Sequence, residues 1–354
     1  MPAERTFSEE LIQKLTVPDD DFKGVIRNIP AAKPSAIRRD STASSLGHLD
    51  LLPTELLLLA LAPLDFQSLS RLSRVCLRAK TVVENLPAYK DMMAYVPEAL
   101  TALGLRTRIL EEYPASRVHR ALRDDRCVSC LGLGWFLYLP TCERVCYRCL
   151  HHDWGLIVVY LGYARRCFGL KDRHFASIPA MYDLPKAGDG AAKDNPGSGL
   201  YCVREAKRLS IDEAYGSLEN AAKNLPRFRV PADQIPRWEQ EIFARFREAS
   251  LEPTGPYWPP EPWILFGGTD YDRETAIRIP RLTETGPDRG HMCMGCDVVR
   301  YRRPYGRAVA TWAMSKAAAR RAAAWGNLLP REAFLEHIKV CDAVGQLLAE
   351  WGDS

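Results

Sequence analysis

Residues 49–89, LDLLPTELLLLALAPLDFQSLSRLSRVCLRAKTVVENLPAY, form the densest apolar stretch of the chain. Pro53 fits the first turn of a helix, where its missing N–H costs nothing, and Glu55 suits the positive end of the helix dipole. Leu56 to Leu61 is apolar on every face, so the reading is burial on more than one side. Pro63 ends that helix and Asp65 is a good N-cap for the next. In the second helix Phe66, Leu69, Leu72, Val75, Cys76 and Ala79 recur at three- and four-residue spacing and predict one apolar stripe. Arg71, Arg74 and Arg78 lie off it.

About 40 residues are few for an independent core. Helices this rich in leucine need a partner, elsewhere in the chain or on another protein. Periodicity alone fits a plain helical hairpin of a larger core equally well. The pattern Leu52-Pro53-x-Glu55-Leu56, then Leu61, Leu64-Asp65, Leu69, Leu72 and Val75-Cys76, resembles the F-box. That helical motif docks on the Skp adaptor of cullin-based ubiquitin ligases. The resemblance implies an adaptor contact made by Leu52, Pro53, Leu56, Leu64, Leu69 and Val75, as helix faces buried in a groove. The family pattern continues with a tryptophan, where Arg78-Ala79-Lys80 stands here, so the end of the motif is degenerate.

The chain has eleven cysteines, five of them within residues 127–149. Cys127-x2-Cys130 and, fifteen residues on, Cys146-x2-Cys149 have the spacing of a structural zinc site. Two residues between thiolates let a tight turn present both sulfurs to one ion, and two such turns complete a tetrahedron. Four sulfur ligands leave no open position, which points to a structural rather than a catalytic ion. The intervening glycines and aromatics suit a short hairpin. Cys142, His151 and His152 are competing ligands. Cys293-x2-Cys296 is half of a second site, and His337-x3-Cys341 can complete it from a helix, since residues four apart share a face. Cys202 and His291 are the alternatives there. The F-box pattern, a CxxC ribbon and a terminal CxGC followed by FLEHIxxC together resemble fungal F-box proteins of unknown substrate.

Composition narrows the function further. The 354 residues are 47% hydrophobic and 26% charged, with a formal net charge of +4. This is globular material without the bulk positive charge of a polycation. No run reaches the roughly 18 apolar residues of a membrane helix. The N-terminus carries charges where a secretory signal is apolar. Many cysteines without such a signal suggest reduced thiols and metal ligands in an intracellular protein, cytoplasmic or nuclear. Gly132-Leu-Gly134 has Leu137 where a dinucleotide fingerprint needs its third glycine, and no Walker loop, HExxH, GxSxG or deaminase pattern occurs. The chain therefore reads as a non-catalytic subunit. The rival is nucleic-acid binding. Residues 298–331 hold eight basic residues, no acid, and the aromatics Tyr301, Tyr305 and Trp312.

The resulting expectation is a mainly α fold with small irregular α+β modules stapled by one or two Zn2+ ions. Its divisions are a mostly disordered leader with one short helix (1–47), an F-box (48–91), a helical connector (92–126) and a zinc ribbon (127–165). A helical region follows (166–262) with loops at 186–199 and 251–262, then a C-terminal module (263–354) with helices near 308–326 and 330–351. The function expected is a receptor that docks on the Skp adaptor and presents an unidentified target protein for ubiquitination, with no membrane partner.

Overall fold

The computed structural model describes residues 7–18, 22, 25–26, 29–34, 44–182, 199–224, 237–254, 274–284, 286–297 and 328–352. The chain is mostly helical with small antiparallel sheets. Helix α1 (Glu9–Lys14) comes first, and α2 (Thr54–Leu61) starts directly after Pro53. In α2 only Leu57 and Leu61, one turn apart, are buried; the expected burial on several sides does not occur. Asp65 caps α3 (Phe66–Leu72), its carboxylate accepting from the Ser68 N–H at 2.7 Å and the Ser68 hydroxyl at 2.6 Å.

The single stripe expected through Ala79 is broken. The Ser70 carbonyl is taken by the Ser73 hydroxyl (2.8 Å) and the Arg74 guanidinium (3.1 Å), side chains that compete with the helix ladder. The chain turns, and Cys76 caps a new helix, α4 (Leu77–Asn85), with its Sγ accepting from the Ala79 N–H at 3.3 Å. Arg78, at the departure from the family pattern, pairs with Asp50 at 3.2 Å and ties α4 to the turn that leads into α2.

Helices α5 (Pro87–Tyr95) and α6 (Pro97–Arg106) each begin with proline in the first turn, and α7 (Ile109–Glu112) and α8 (Ala115–Arg123) follow. They share one core with the leucine-rich helices, in which Leu57, Phe66, Leu69 and Val83 meet Leu103, Val118 and Leu122. Asp91 on α5 bridges His119 (2.9 Å) and Arg123 (2.5 Å) on α8. Burial alone would raise its pKa. Hydrogen bonds from His119 and Arg123 outweigh this and hold it below the usual carboxylate range.

Strand β1 (Phe136–Tyr138) pairs antiparallel with β2 (Glu143–Val145) in the expected hairpin. The other edge of β1 pairs with the distant β5 (Ala276–Arg278), Leu137 opposite Ile277. Alternation along β1 splits its faces. Leu137 and Leu139 join the core of the leucine-rich helices; Phe136 and Tyr138 join a second core with Val158 and Ala276. Arg144 on β2 is buried and crosslinks these layers. It donates to the carbonyls of Ala121 (2.7 Å) and Leu122 (3.0 Å), which end α8, and to Gly134 (2.8 Å) and Pro280 (2.5 Å).

The ribbon continues into α9 (Tyr147–His152), β3 (Val158–Tyr160) and α10 (Leu161–Phe168). β3 pairs with β4 (Leu200–Cys202), and α11 (Val203–Arg208), α12 (Leu218–Lys223) and α13 (Arg237–Glu248) complete a third core around Phe168, Phe243 and Phe246. A small hairpin of β6 (Arg281–Thr283) and β7 (Gly286–Asp288) precedes the last cysteines. The terminal helix expected over 330–351 is two, α14 (Arg331–Val340) and α15 (Asp342–Gly352), separated at Cys341, whose backbone is extended.

The leader departs most from expectation. Phe7, Leu11, Ile12 and Leu15 recur along α1, and Ile12 and Leu15 are buried against Phe334, Ile338 and Val344. Val17 donates its N–H to the Met292 carbonyl at 2.9 Å, while Phe22 and Val25 enter the second core. The described leader is thus part of the fold, because its few apolar residues are spaced to reach the C-terminal helices. The expected helix at 308–326 and most of the loops at 186–199 and 251–262 lie outside the described residues.

Candidate docking face and metal centres

The leucine-rich helices have two faces. Leu57, Leu61, Phe66 and Leu69 turn inward, whereas Leu51 is 80%, Leu56 51%, Leu59 69% and Val75 59% exposed. Leu52, Leu56 and Leu59 are spaced by four and three residues, so one apolar line runs into α2. Of the six residues expected to dock, Leu52, Pro53, Leu56 and Val75 are exposed, and Leu64 is half-buried with its carbonyl accepting from Ala115 at 2.9 Å. Leu69 is the exception. It is 1% exposed and belongs to the internal core, because Asp65 orients α3 with Phe66 and Leu69 inward. Leu51 and Leu59 were not singled out by sequence; Leu59 was legible as one helical step beyond Leu56.

Cys127, Cys130, Cys146 and Cys149 bring one sulfur each to within 4.8 Å of one another. The first pair sits on a tight turn closed by the Leu131 N–H to the Cys127 carbonyl (2.9 Å) and the Cys127 N–H to the Gly132 carbonyl (2.6 Å). Cys146 caps α9, its sulfur accepting from the Cys149 N–H at 3.3 Å. The Cys130 and Cys146 sulfurs are 3.8 Å apart. A disulfide needs about 2 Å. Tetrahedral thiolates about 2.3 Å from one ion are about 3.8 Å from each other. All eleven cysteines are free thiols. Cys127, Cys146 and Cys149 hydrogen-bond Cys130 and hold its thiol far below the ordinary value, while the same crowding raises Cys146 and Cys149. Such a set ionises fully only around a cation.

Cys293, Cys296, His337 and Cys341 form a second group within the same 4.8 Å limit. Cys293 to Cys341 is 4.0 Å, Cys296 to Cys341 3.7 Å, and Cys296 Sγ to His337 Nε2 3.3 Å. His337 comes from α14 and Cys341 from its extended end. Gly295 lets the CxGC turn approach α15, since a Cβ there would lie 2.8 Å from the Val344 nitrogen. The turn is also bridged to the leader, with Thr16 opposite Cys293 and Met294 donating to the Leu15 carbonyl at 2.8 Å. The imidazole is pushed up to about 10 by hydrogen bonds with Cys293 and Cys341.

The competing ligands belong to neither group, although His152 lines a cleft beside the first. His291 stacks on Phe334 and contacts Thr16 through Nδ1 at 3.4 Å. His151 packs against Tyr147. Burial pushes the Cys142 and Cys167 thiols up to about 12 and Cys202 to about 11, the behaviour of inert core thiols. The basic segment 298–331 lies outside the described residues except for its last four, 328–331. Its terminal Arg331 forms a double hydrogen bond with Glu9, at 2.5 and 3.1 Å.

Residues 49–91 match the family model of the F-box domain. This covers α2 to α4 and the first part of α5, and it ends before the first cysteine cluster at Cys127. F-box domains dock on Skp-type adaptors of SCF ubiquitin ligases and are in general parts of non-catalytic receptors. No curated protein and no solved structure matches the chain. No helix among the described residues is long and apolar enough to cross a membrane.

Proposed function

We propose that the chain is a substrate receptor that docks on the Skp adaptor through Leu52, Pro53, Leu56 and Val75, with Leu51 and Leu59 beside them. The single observation carrying this reading is an F-box domain whose leucines divide into a buried and an exposed set. Covering one such side chain is worth about 1.5–3 kcal/mol, enough across four or five of them for stable docking after the cost of association. Leu69 supports the face from within rather than touching the partner. The remainder of the chain holds a target near the ubiquitin-carrying enzyme and acts by raising effective concentration.

Both cysteine groups bind Zn2+ in this reading, four thiolates in the first and three with an imidazole in the second, a donor set that selects zinc over harder ions. The ions are structural. Eleven free thiols suit a reducing intracellular compartment. Of the basic residues in the nucleic-acid reading only Arg331 is among the described residues, and it is engaged by Glu9.

Co-purification tests the docking. The wild type retains the adaptor, and a Leu52→Ala/Leu56→Ala/Leu59→Ala chain loses it while keeping its circular dichroism and zinc content. Undiminished adaptor binding by that variant would remove the proposal.

A further inference from the structure

A cleft of about 580 Å3 lies between the first cysteine cluster and the end of α13. The size is that of pockets which enclose a ligand group. Its walls come from the Cys127–Cys130 turn, from α9 and the turn after it, from residues 245–254, and from Leu328–Pro330.

These walls are fixed to one another. The Thr254 N–H donates to the Ser129 carbonyl at 3.0 Å, and Trp135 Nε1 donates to the Leu328 carbonyl at 3.0 Å. The buried Lys207 ammonium donates to the carbonyls of Arg247 (2.6 Å) and Ala249 (2.5 Å), holding the end of α13 that borders the cleft. The cleft is therefore preformed among the described residues.

Its position suits a receptor. β1 turns Leu137 and Leu139 to the core of the adaptor-docking helices, whereas Tyr138 and the preceding Trp135 belong to the second core, and Trp135 lines the cleft. The first turn also keeps an unusual residue. Leu131, between the lining residues Cys130 and Gly132, has φ +60° and is 52% exposed. A leucine in the left-handed region costs about 1–2 kcal/mol relative to ordinary backbone, and its exposure offers no burial in return within the chain.

Charge and shape define what fits. The floor is apolar, with Leu133, Trp135, Trp154 and Leu328. The lining carries three carboxylates, Asp153, Glu248 and Glu252, against two guanidiniums, Arg148 and Arg245, with His152 beside them. Arg245 pairs with Glu248 at 3.4 Å, which offsets one positive charge against one negative. Cys130, Cys146 and Cys149 also face the cleft, and a zinc tetrathiolate carries two negative charges. The excess is negative over an apolar floor, the complement of a side chain with a hydrocarbon stem and a cationic head.

We propose that this cleft is the target-recognition site and that it takes a target segment presenting an arginine or lysine side chain. The stem lies along Leu133 and Trp154, and the head reaches Glu252 at the rim. The assignment rests on the receptor reading above, and its test is separable from that reading.

The zinc-loaded full chain is titrated into fluorescein-labelled Gly-Ser-Leu-X-Leu-Ser-Gly peptides, with X = Arg, Leu or Glu, and anisotropy is recorded. The Arg peptide binds about tenfold or more tighter than the Glu peptide, as charge complementarity on this scale requires. Glu252→Lys cuts that preference about fivefold or more while adaptor co-purification is unchanged. Leu133→Ser weakens the Arg and Leu peptides alike while adaptor co-purification is unchanged. Equal or tighter binding of the Leu or Glu peptide overturns the proposal, as does the absence of saturable binding of any peptide up to about 1 mM. Selective Arg binding by a chain that never retains the adaptor would instead overturn the docking reading and leave the cleft standing.

Discussion

The first cysteine cluster closes within residues 127–149, on a hairpin that the chain makes locally and that Arg144 and β5 then brace. The second needs residues 293–341, and its first turn is itself paired with Thr16 and Leu15 from the leader. Both cages have ligand spacings that suit one tetrahedral ion, but they staple different things. The first belongs to the second core, on a hairpin whose strand β1 also packs on the core of the leucine-rich helices. The second clasps the two ends of the described chain, in a small core of its own. If each cage holds the proposed ion, loss of the first should spread and loss of the second should stay local.

Ligand replacement is the strongest way to break this contrast. A structural zinc contributes an apparent 10–16 kcal/mol, roughly the stability of a whole domain. Cys149→Ser should therefore abolish cooperative unfolding and adaptor retention together. Cys296→Ser should lower native-mass-spectrometry stoichiometry from two zinc ions to one and quicken tryptic cleavage at the exposed Lys14 by loosening α1, while the adaptor still co-purifies. Equal damage from the two substitutions would show that the ends and the ribbon form one cooperative unit.

Arg144→Met isolates the bracing from the metal. Four buried carbonyls lose their donor, and leaving a buried acceptor unsatisfied costs about 1–3 kcal/mol. Denaturant unfolding should shift by that amount. Exchange of the first ion with a chelator should quicken, and exchange of the second should not change.

The same contrast explains what could be read from sequence. The first cage was legible because its spacing is a local property: x2 turns and a glycine-rich hairpin lie between the ligands. The second could be proposed from His337-x3-Cys341 as one helical face, yet Cys341 terminates α14 rather than riding on it. Arg144 gave no signal, since an arginine in a strand reads as solvated until the carbonyls of Ala121 and Pro280 are brought to it. The leader misled for a related reason: Ile12 and Leu15 are too few to form a core alone, and their partners, Cys293 to Val344, lie at the far end of the described chain. In the F-box the apolar stripe was visible, but its division into Leu69 inside and Leu59 outside depends on how α3 is set by its cap.

Gly295→Ala sharpens the comparison on the side of the second cage. The added methyl meets the α15 backbone at 2.8 Å, a contact that no side-chain rotation relieves. Overpacking of this kind costs about 1–3 kcal/mol. The expected result is weaker retention of the second zinc, with the ribbon's chelator resistance and adaptor docking at wild-type levels.

Acid supplies the smallest effect and probes the first half alone. The Asp91 carboxyl is held below its ordinary value, the hydrogen bonds of His119 and Arg123 prevailing over burial. A lowered folded-state value means the contribution is complete above the unfolded carboxylate range, about pH 4, and is lost as pH falls through the folded value. Asp91→Asn should lower stability near neutrality and flatten its decline in acid, by fractions of the change seen for Arg144→Met. Read from the near-ultraviolet signal of the F-box and ribbon, that flattening should be the same in Cys296→Ser as in the wild type. Coupling between the two would mean that the clasp of the chain ends reaches α5, and the division drawn between the cages would have to be redrawn.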